Sequence, residues 1–403
     1  MAALLVLAAR SSDAALGVSG LMVAGLVPSI LLGIPAGVLA DRLRPDRAYI
    51  AGAALRLLPP VAALLLVHDA KTALIAALFS SSVAQLFNPA EMALVRSMHG
   101  RSAGGSHALL VVLQYGAQGL GALALGPALY FLGGPRAMFA GALVLYSGFF
   151  ALALIAAWRL DAVVAVAGRG HITIRAACRF FVEEPRARAA VVAISLKTAV
   201  WRGVFVALPL YVHSSVGLGN EALVFVVAPG VVGALLGLAW CARNVSPDTA
   251  EETMRLSVVA MLVGVLALAV LDYGLEAAVF ITQVGPLVRL EASLNTTFII
   301  ALPAAFLIGL GFAGALIGGR VALTGTAPEG QQARTFAVQG TITEVLLVLP
   351  LLLTGVGTEM VGARATLGAL GLVAAGAFLL VELPRLLGRG TGPPEMATAP
   401  ATI

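Results

Sequence analysis

Gly37-Val38-Leu39-Ala40-Asp41-Arg42-Leu43-Arg44-Pro45-Asp46-Arg47 ends the first long apolar run of this chain. The stretch has the chemistry of a short loop between two membrane-spanning helices. Gly37 lets two helices approach closely. Asp41 can pair with a cation or cap a helix amino terminus. Arg42, Arg44 and Arg47 hold the loop on the side of the bilayer where basic residues collect. On either side of it, 15–40 and 48–67 are long enough to cross about 30 Å of hydrocarbon.

The same pattern continues outward in both directions. Further spans lie at 72–94, 107–131 and 137–158, then at 189–212, 219–242, 255–271, 296–319, 335–356 and 363–383, which gives about eleven crossings in all. Composition demands this class. Hydrophobic residues are 60% of the 403 and charged residues 11%, whereas a soluble domain carries about 25% charge. The expected fold is therefore an all-α membrane protein with five spans before a polar stretch and six after it. The domains read as an N-terminal helical bundle at 1–158, a cytoplasmic linker at 159–188, a C-terminal bundle at 189–387 and a disordered tail at 388–403. Within the linker, Ile174 to Arg188 mixes arginines with Phe180, Phe181 and Val182, the pattern of an amphipathic helix on the inner membrane surface. Residues 272–295 read as an external loop.

Charge placement orients the chain. With 41–47 in the cytoplasm, most of the 25 basic residues fall on that side, and only Arg10, Lys71, Arg136, Arg289 and Arg364 face outward. This bias places the chain as a multi-pass protein of the cell membrane with a cytoplasmic C-terminus. The net charge of +5 comes without a basic stripe interleaved with aromatics, so nucleic acid is not an expected partner. Cys178 and Cys241 both fall in or beside cytoplasmic segments, where neither a structural disulfide nor a metal site is expected. The glycine pairs Gly33/Gly37, Gly233/Gly237 and Gly314/Gly318 mark tight helix packing.

The loop at 37–47 resembles the signature between the second and third helices of the major facilitator superfamily, with Pro45 where a glycine or basic residue is usual. Other stretches extend the resemblance in order. Phe87-Asn88-Pro89-Ala90-Glu91 is similar to the end of the fourth helix in the drug, macrolide and siderophore exporter branch. Gly121 to Pro127 resembles the antiporter-type motif of the fifth helix. Phe181 to Arg186 resembles the linker before the seventh helix, and Ala327 to Ala337 the loop before the eleventh. The resemblance implies a two-bundle fold of twelve helices, of which residues 1–9 supply only the last turns of the first. It further implies a gating role for Gly37, Asp41, Arg42 and Arg47.

Ionisable residues within spans are the candidate functional groups, because hydrocarbon penalises them by several kcal/mol. Lys197 and Arg202, beside Trp201, lie in 189–212, and Glu344 is the one carboxylate at such depth in 335–356. As a functional set, Glu344 takes protons or cations and Lys197 and Arg202 meet substrate; as a structural set, these charges pair with one another. Arg56, near the middle of 48–67, serves a transport role, pairs with another of these charges or snorkels. The amides Gln85, Asn88, Gln114 and Gln118 either line a cavity or bond between helices.

No phosphate-binding loop, nucleophile elbow or zinc-binding helix motif is present, so neither intrinsic ATP hydrolysis nor another enzymatic activity is expected, nor a cofactor. The resemblance implies a secondary transporter, a monomer in the bilayer, exporting an amphipathic small molecule in exchange for protons by alternating access. A lysophospholipid transporter and a transport-inactive sensor or scaffold are the alternatives.

Overall fold

The computed structural model describes Leu4 and residues 14–42, 45–67, 69–99, 113–160, 174–216, 223–282, 296–326 and 332–386. Nearly all of them are helical. The N-terminal bundle contains α1 (Ala14–Arg42), α2 (Pro45–Leu55), α3 (Leu58–Leu66), α4 (Ala70–His99), α5 (113–120) and α6 (Gly126–Leu160). A short α7 (Ile174–Glu183) follows. The C-terminal bundle is α8 (Pro185–Tyr211), α9 (Leu223–Asn244), α10 (Ala250–Thr282), α11 (Thr296–Thr326), α12 (Gln332–Val361) and α13 (Ala363–Leu386). Among the described residues, nine stretches are long and apolar enough to span a membrane. The two expected crossings outside that set, 72–94 and 107–131, fall on the longer but more polar α4 and on α5 with the helix that continues it.

Local chemistry accounts for the breaks. Pro59 and Pro60 cannot donate to the preceding turn, so α2 ends at Leu55 and the Leu57 amide tightens onto the Ala54 carbonyl at 3.1 Å before α3 begins. At Gly133-Gly134-Pro135 the helical path of α6 is interrupted, with Gly134 at φ 64°, a conformation a side chain would oppose. This is the expected boundary between 107–131 and 137–158. A π-helical turn, Gly121–Leu125, joins α5 to α6. The expected loop at 272–295 needs correction. The helix continues to Thr282, because Leu275 to Thr282 contains no Gly or Pro stop before Gly285-Pro286; residues 283–295 lie outside the described set, as do 161–173 and the tail at 388–403.

α7 forms where the amphipathic pattern places it, but Phe181 does not face lipid. It is buried in the core of the C-terminal bundle, with Phe180 packed against the same cluster.

Small residues set the C-terminal bundle's density. Gly309 stands against the backbone of Gly230, Gly233 against the Phe306 carbonyl and Gly318 against Met254. The close packing read from Gly233/Gly237 and Gly314/Gly318 is thus realised through α9–α11 and α10–α11 crossings. At the end where α8 begins, Arg186 reaches Glu251 at 3.1 Å, Arg255 reaches Glu251 at 3.2 Å, and Arg255 reaches Glu382 at 3.1 Å. This chain ties α8, α10 and α13 together, and Glu382 is buried. Glu382→Ala is expected to lower stability by about 1–3 kcal/mol, read as an earlier thermal transition of the detergent-solubilised protein.

The two bundles meet along two seams. Val18, Leu21 and Leu26 of α1 share one apolar cluster with Val206 of α8 and with Leu347 and Leu351 of α12. On the other side, Gly116 and Gly119 of α5 face Leu235 and Val231 of α9.

Candidate functional site

α12 carries polar groups on the face that meets α8. Ser195 and Thr343 hydroxyls lie 3.0 Å apart, and Gln339 donates to Thr343 at 2.8 Å. Two turns further along α8, Arg202 grips Glu344 with both guanidinium arms: Nη1 donates to Oε2 at 3.0 Å and Nη2 to Oε1 at 3.2 Å. A bidentate pair of this kind is strong and geometrically specific. Its side chains are 31% and 20% exposed, so the pair is only partly withdrawn from the surface. The charges anticipated from sequence are joined in the manner of the structural alternative. Glu344 is not a lone carboxylate.

Lys197 is the exception. It is 4% exposed, and its ammonium sits 4.3 Å from the centroid of the Phe312 ring. Among the described residues no carboxylate pairs with it. A cation over an aromatic face recovers about 2 kcal/mol when desolvated, while a lysine within a span costs about 2.5–3.5 kcal/mol or more. The ring alone therefore does not offset the burial.

Aromatic side chains complete the wall. Trp201 packs on Phe312 with centroids 4.7 Å apart and on Phe205 at 5.1 Å; Tyr115 of α5 meets Phe312 edge-on at 5.3 Å. Trp201, Phe205 and Ile308 also border a small apolar crevice between α8, α9 and α11. Arg320 of α11 lies close enough for its charge to act on both Lys197 and Tyr115. The centre thus combines Lys197, Arg202 and Arg320 against Glu344, lined by rings from three helices.

Other expected residues are distributed differently. Gln85 donates to Ser29 at 2.6 Å, joining α4 to α1, while Ser81 bonds the Gly25 carbonyl. The Gln85 amide lies near Gly33, opposite Thr341 of α12, so it marks the seam between bundles. Gln114 and Gln118 are exposed and stand beside, not within, the face of α5 that Tyr115, Gly116 and Gly119 turn to the other bundle. Gly37, Asp41 and Arg42 occupy the last turns of α1 and Asn88 lies in α4; their side chains lie outside the described set. Arg47 is exposed at the start of α2. Arg56 lies 3.7 Å over the Phe87 ring, which packs with Tyr49 and Phe149.

Sequence reasoning missed Phe312, Tyr115 and Arg320. The first two look like ordinary apolar-span aromatics, and Arg320 sits near a helix end, where it reads as orientation charge. Among the described residues no cluster of three or more His, Cys, Asp or Glu is placed to hold a metal ion.

Two helical bundles that meet along paired seams, with ionisable residues facing inward, define a polytopic membrane transporter. The sequence profile of the Major Facilitator Superfamily matches residues 1–290, and the chain belongs to that family. Among solved structures it is similar to the crystal structure of a bacterial homologue of iron transporter ferroportin in outward-facing state. The TM-score is 0.64 at 16% identity, covering 96% of this chain and 92% of that one. It is also similar to the human organic anion transporter MFSD10 (TETRAN), with TM-score 0.60 and 12% identity over 91% of this chain and 83% of that one. At such identity these two show the fold alone. No curated protein matches the sequence.

Proposed function

We propose that this transporter moves an amphipathic small molecule by proton-coupled alternating access, with export as its working direction and the cell membrane as its site. The observation that carries the reading is the Arg202–Glu344 pair. α12 holds Glu344 against α8 on one side and packs against α1 of the other bundle through Thr341 and Gly33. A proton on Glu344 removes the charge that grips Arg202, and the helix so released is one that bridges the bundles. Binding chemistry and bundle arrangement are thereby joined in one element.

The test uses purified protein in liposomes with an imposed pH gradient and a trapped pH indicator. At least one compound from a panel of macrolides, siderophores and lysophospholipids is expected to change the decay of the gradient relative to protein-free vesicles. A decay that no compound alters overturns coupled transport and favours the sensor or scaffold reading.

Gly33 offers a second check. A Cβ added there would lie 3.3 Å from the Thr341 hydroxyl oxygen, so alanine is nearly accommodated and leucine is not. Gly33→Leu is expected to hold α1 away from α12 and lower the transport rate at least about tenfold, with the folded monomer peak retained in size-exclusion chromatography. Gly33→Ala is expected to retain most of the rate.

A further inference from the structure

The centre on α8, α11 and α12 carries an imbalance of charge. The Arg202 and Arg320 charges both act on Lys197, and Glu344, which is already paired with Arg202, is the one acid that opposes them there among the described residues. Lys197 is more than nine-tenths buried and has no carboxylate partner among the described residues. We propose that the ligand of this site is an amphipathic anion whose acidic headgroup is held by Lys197 and Arg202 and whose apolar body lies on Trp201, Phe205 and Phe312. This inference rests on the transporter reading given above and adds the charge of its cargo.

Three observations converge on that ligand. A buried lysine is retained at a cost that its aromatic contact does not repay. A guanidinium already arranged for two parallel hydrogen bonds matches a carboxylate, sulfonate or phosphate. Phe312, which the Lys197 ammonium overlies, packs on Trp201, and Trp201 with Phe205 borders the apolar crevice, so apolar surface runs on from the cation through contacting rings. A cationic drug would meet three like charges here and gain one carboxylate that is already engaged.

The direction of proton coupling follows. The anion and the ionised Glu344 compete for Arg202, so protonation of Glu344 frees Arg202 and strengthens anion binding. By linkage, anion binding must then draw a proton onto the protein. Proton and anion load together, and the site favours cotransport over the exchange that the exporter resemblance implies. Export then runs on the cargo's own outward gradient, with the proton accompanying it.

No other described ionisable group facing Glu344 changes this expectation. α8 contributes Lys197 and Arg202, α11 contributes Arg320, and α5 contributes Tyr115, whose hydroxyl feels Glu344 and both arginines. The charged residues of α13 sit in its first and last turns, with Glu382 engaged by Arg255. On α4, Lys71 lies in the first turn and Glu91 acts with Arg56, and on α7 Arg179 pairs with Glu183. α1 presents Ser29 and Gly33 to this region and no acid or base between Ala14 and Ala40.

The experiment compares two fluorescent probes of one ring frame, anilinonaphthalene sulfonate and the uncharged phenylnaphthylamine, with the full chain in lipid nanodiscs and empty nanodiscs as background. The protein is expected to bind the sulfonate at least about tenfold more tightly than the uncharged probe, and Lys197→Met to remove that preference. Sulfonate binding is expected to tighten as pH falls, to take up protons in weakly buffered solution, and to lose both responses in Glu344→Gln. Lys197→Met leaves the Arg202–Glu344 pair in place, so it reports on the headgroup even where the glutamine variant is unstable. Equal affinity for the two probes, or proton release on sulfonate binding, overturns the proposal. Failure of the transporter reading looks different: charge-selective binding with proton uptake would persist, while reconstituted vesicles would show no flux.

Discussion

Glutamine in place of Glu344 is expected to abolish proton-coupled transport while leaving a folded protein. The substitution keeps size and one acceptor oxygen but removes the charge that holds both arms of Arg202 at 3.0 and 3.2 Å. It mimics the protonated state permanently, so the cycle loses the step in which a proton leaves. Substrate-dependent proton flux in reconstituted vesicles should fall at least about a hundredfold, the scale on which an essential proton-transfer group acts. Arg202→Gln should lose flux for the complementary reason, and with greater loss of stability, because it leaves Glu344 ionised within the bundle with no partner. If Glu344→Gln supports normal proton flux, the pair serves assembly only.

The second large effect concerns packing. Gly309→Val should prevent the C-terminal bundle from assembling. A Cβ at this position would overlap the Gly230 carbonyl and the Ala234 amide. These are backbone atoms of α9, which cannot step aside as a flexible side chain would. Overpacking a core costs about 1–3 kcal/mol where side chains relax, and forcing two helix backbones apart along α9–α11 costs more. Aggregation in size-exclusion chromatography, with loss of a cooperative thermal transition, is the expected result. Gly325→Ala on the same helix serves as the control, since nothing lies within 4 Å of a Cβ there.

Much of the architecture was legible because it depends on composition and spacing alone. Hydrocarbon thickness fixes helix length, so runs such as 189–212 and 363–383 return as α8 and α13 with boundaries a few residues away. The break expected between 107–131 and 137–158 falls at Gly133-Gly134-Pro135. The error at 272–282 arose where the sequence is too short to cross the bilayer alone but simply prolongs the preceding helix. Length was judged correctly there, and continuity was not.

The site was legible only in outline. Depth within a span singled out Lys197, Arg202 and Glu344, because burying charge in a membrane needs a reason. Pairing between Arg202 and Glu344, separated by 142 positions, depends on helix rotation and crossing, which hydropathy does not encode. The same limit hid Phe312 and Arg320. For Gln114 and Gln118, i, i+4 spacing shows a common face but not which neighbour that face meets.

If the protonation state of Glu344 sets the arrangement of the two bundles, a distance across them must follow pH. Spin labels at Leu66 on α3 and Met360 on α12 test it most directly. Both positions are exposed, and the alternation of spans places these helix ends on the same side of the membrane. The distance distribution between the labels is expected to shift as pH falls from about 8 to about 5, and Glu344→Gln to hold the low-pH distribution at both. A distribution that shifts with pH identically in the wild type and in Glu344→Gln, or in neither, would contradict it.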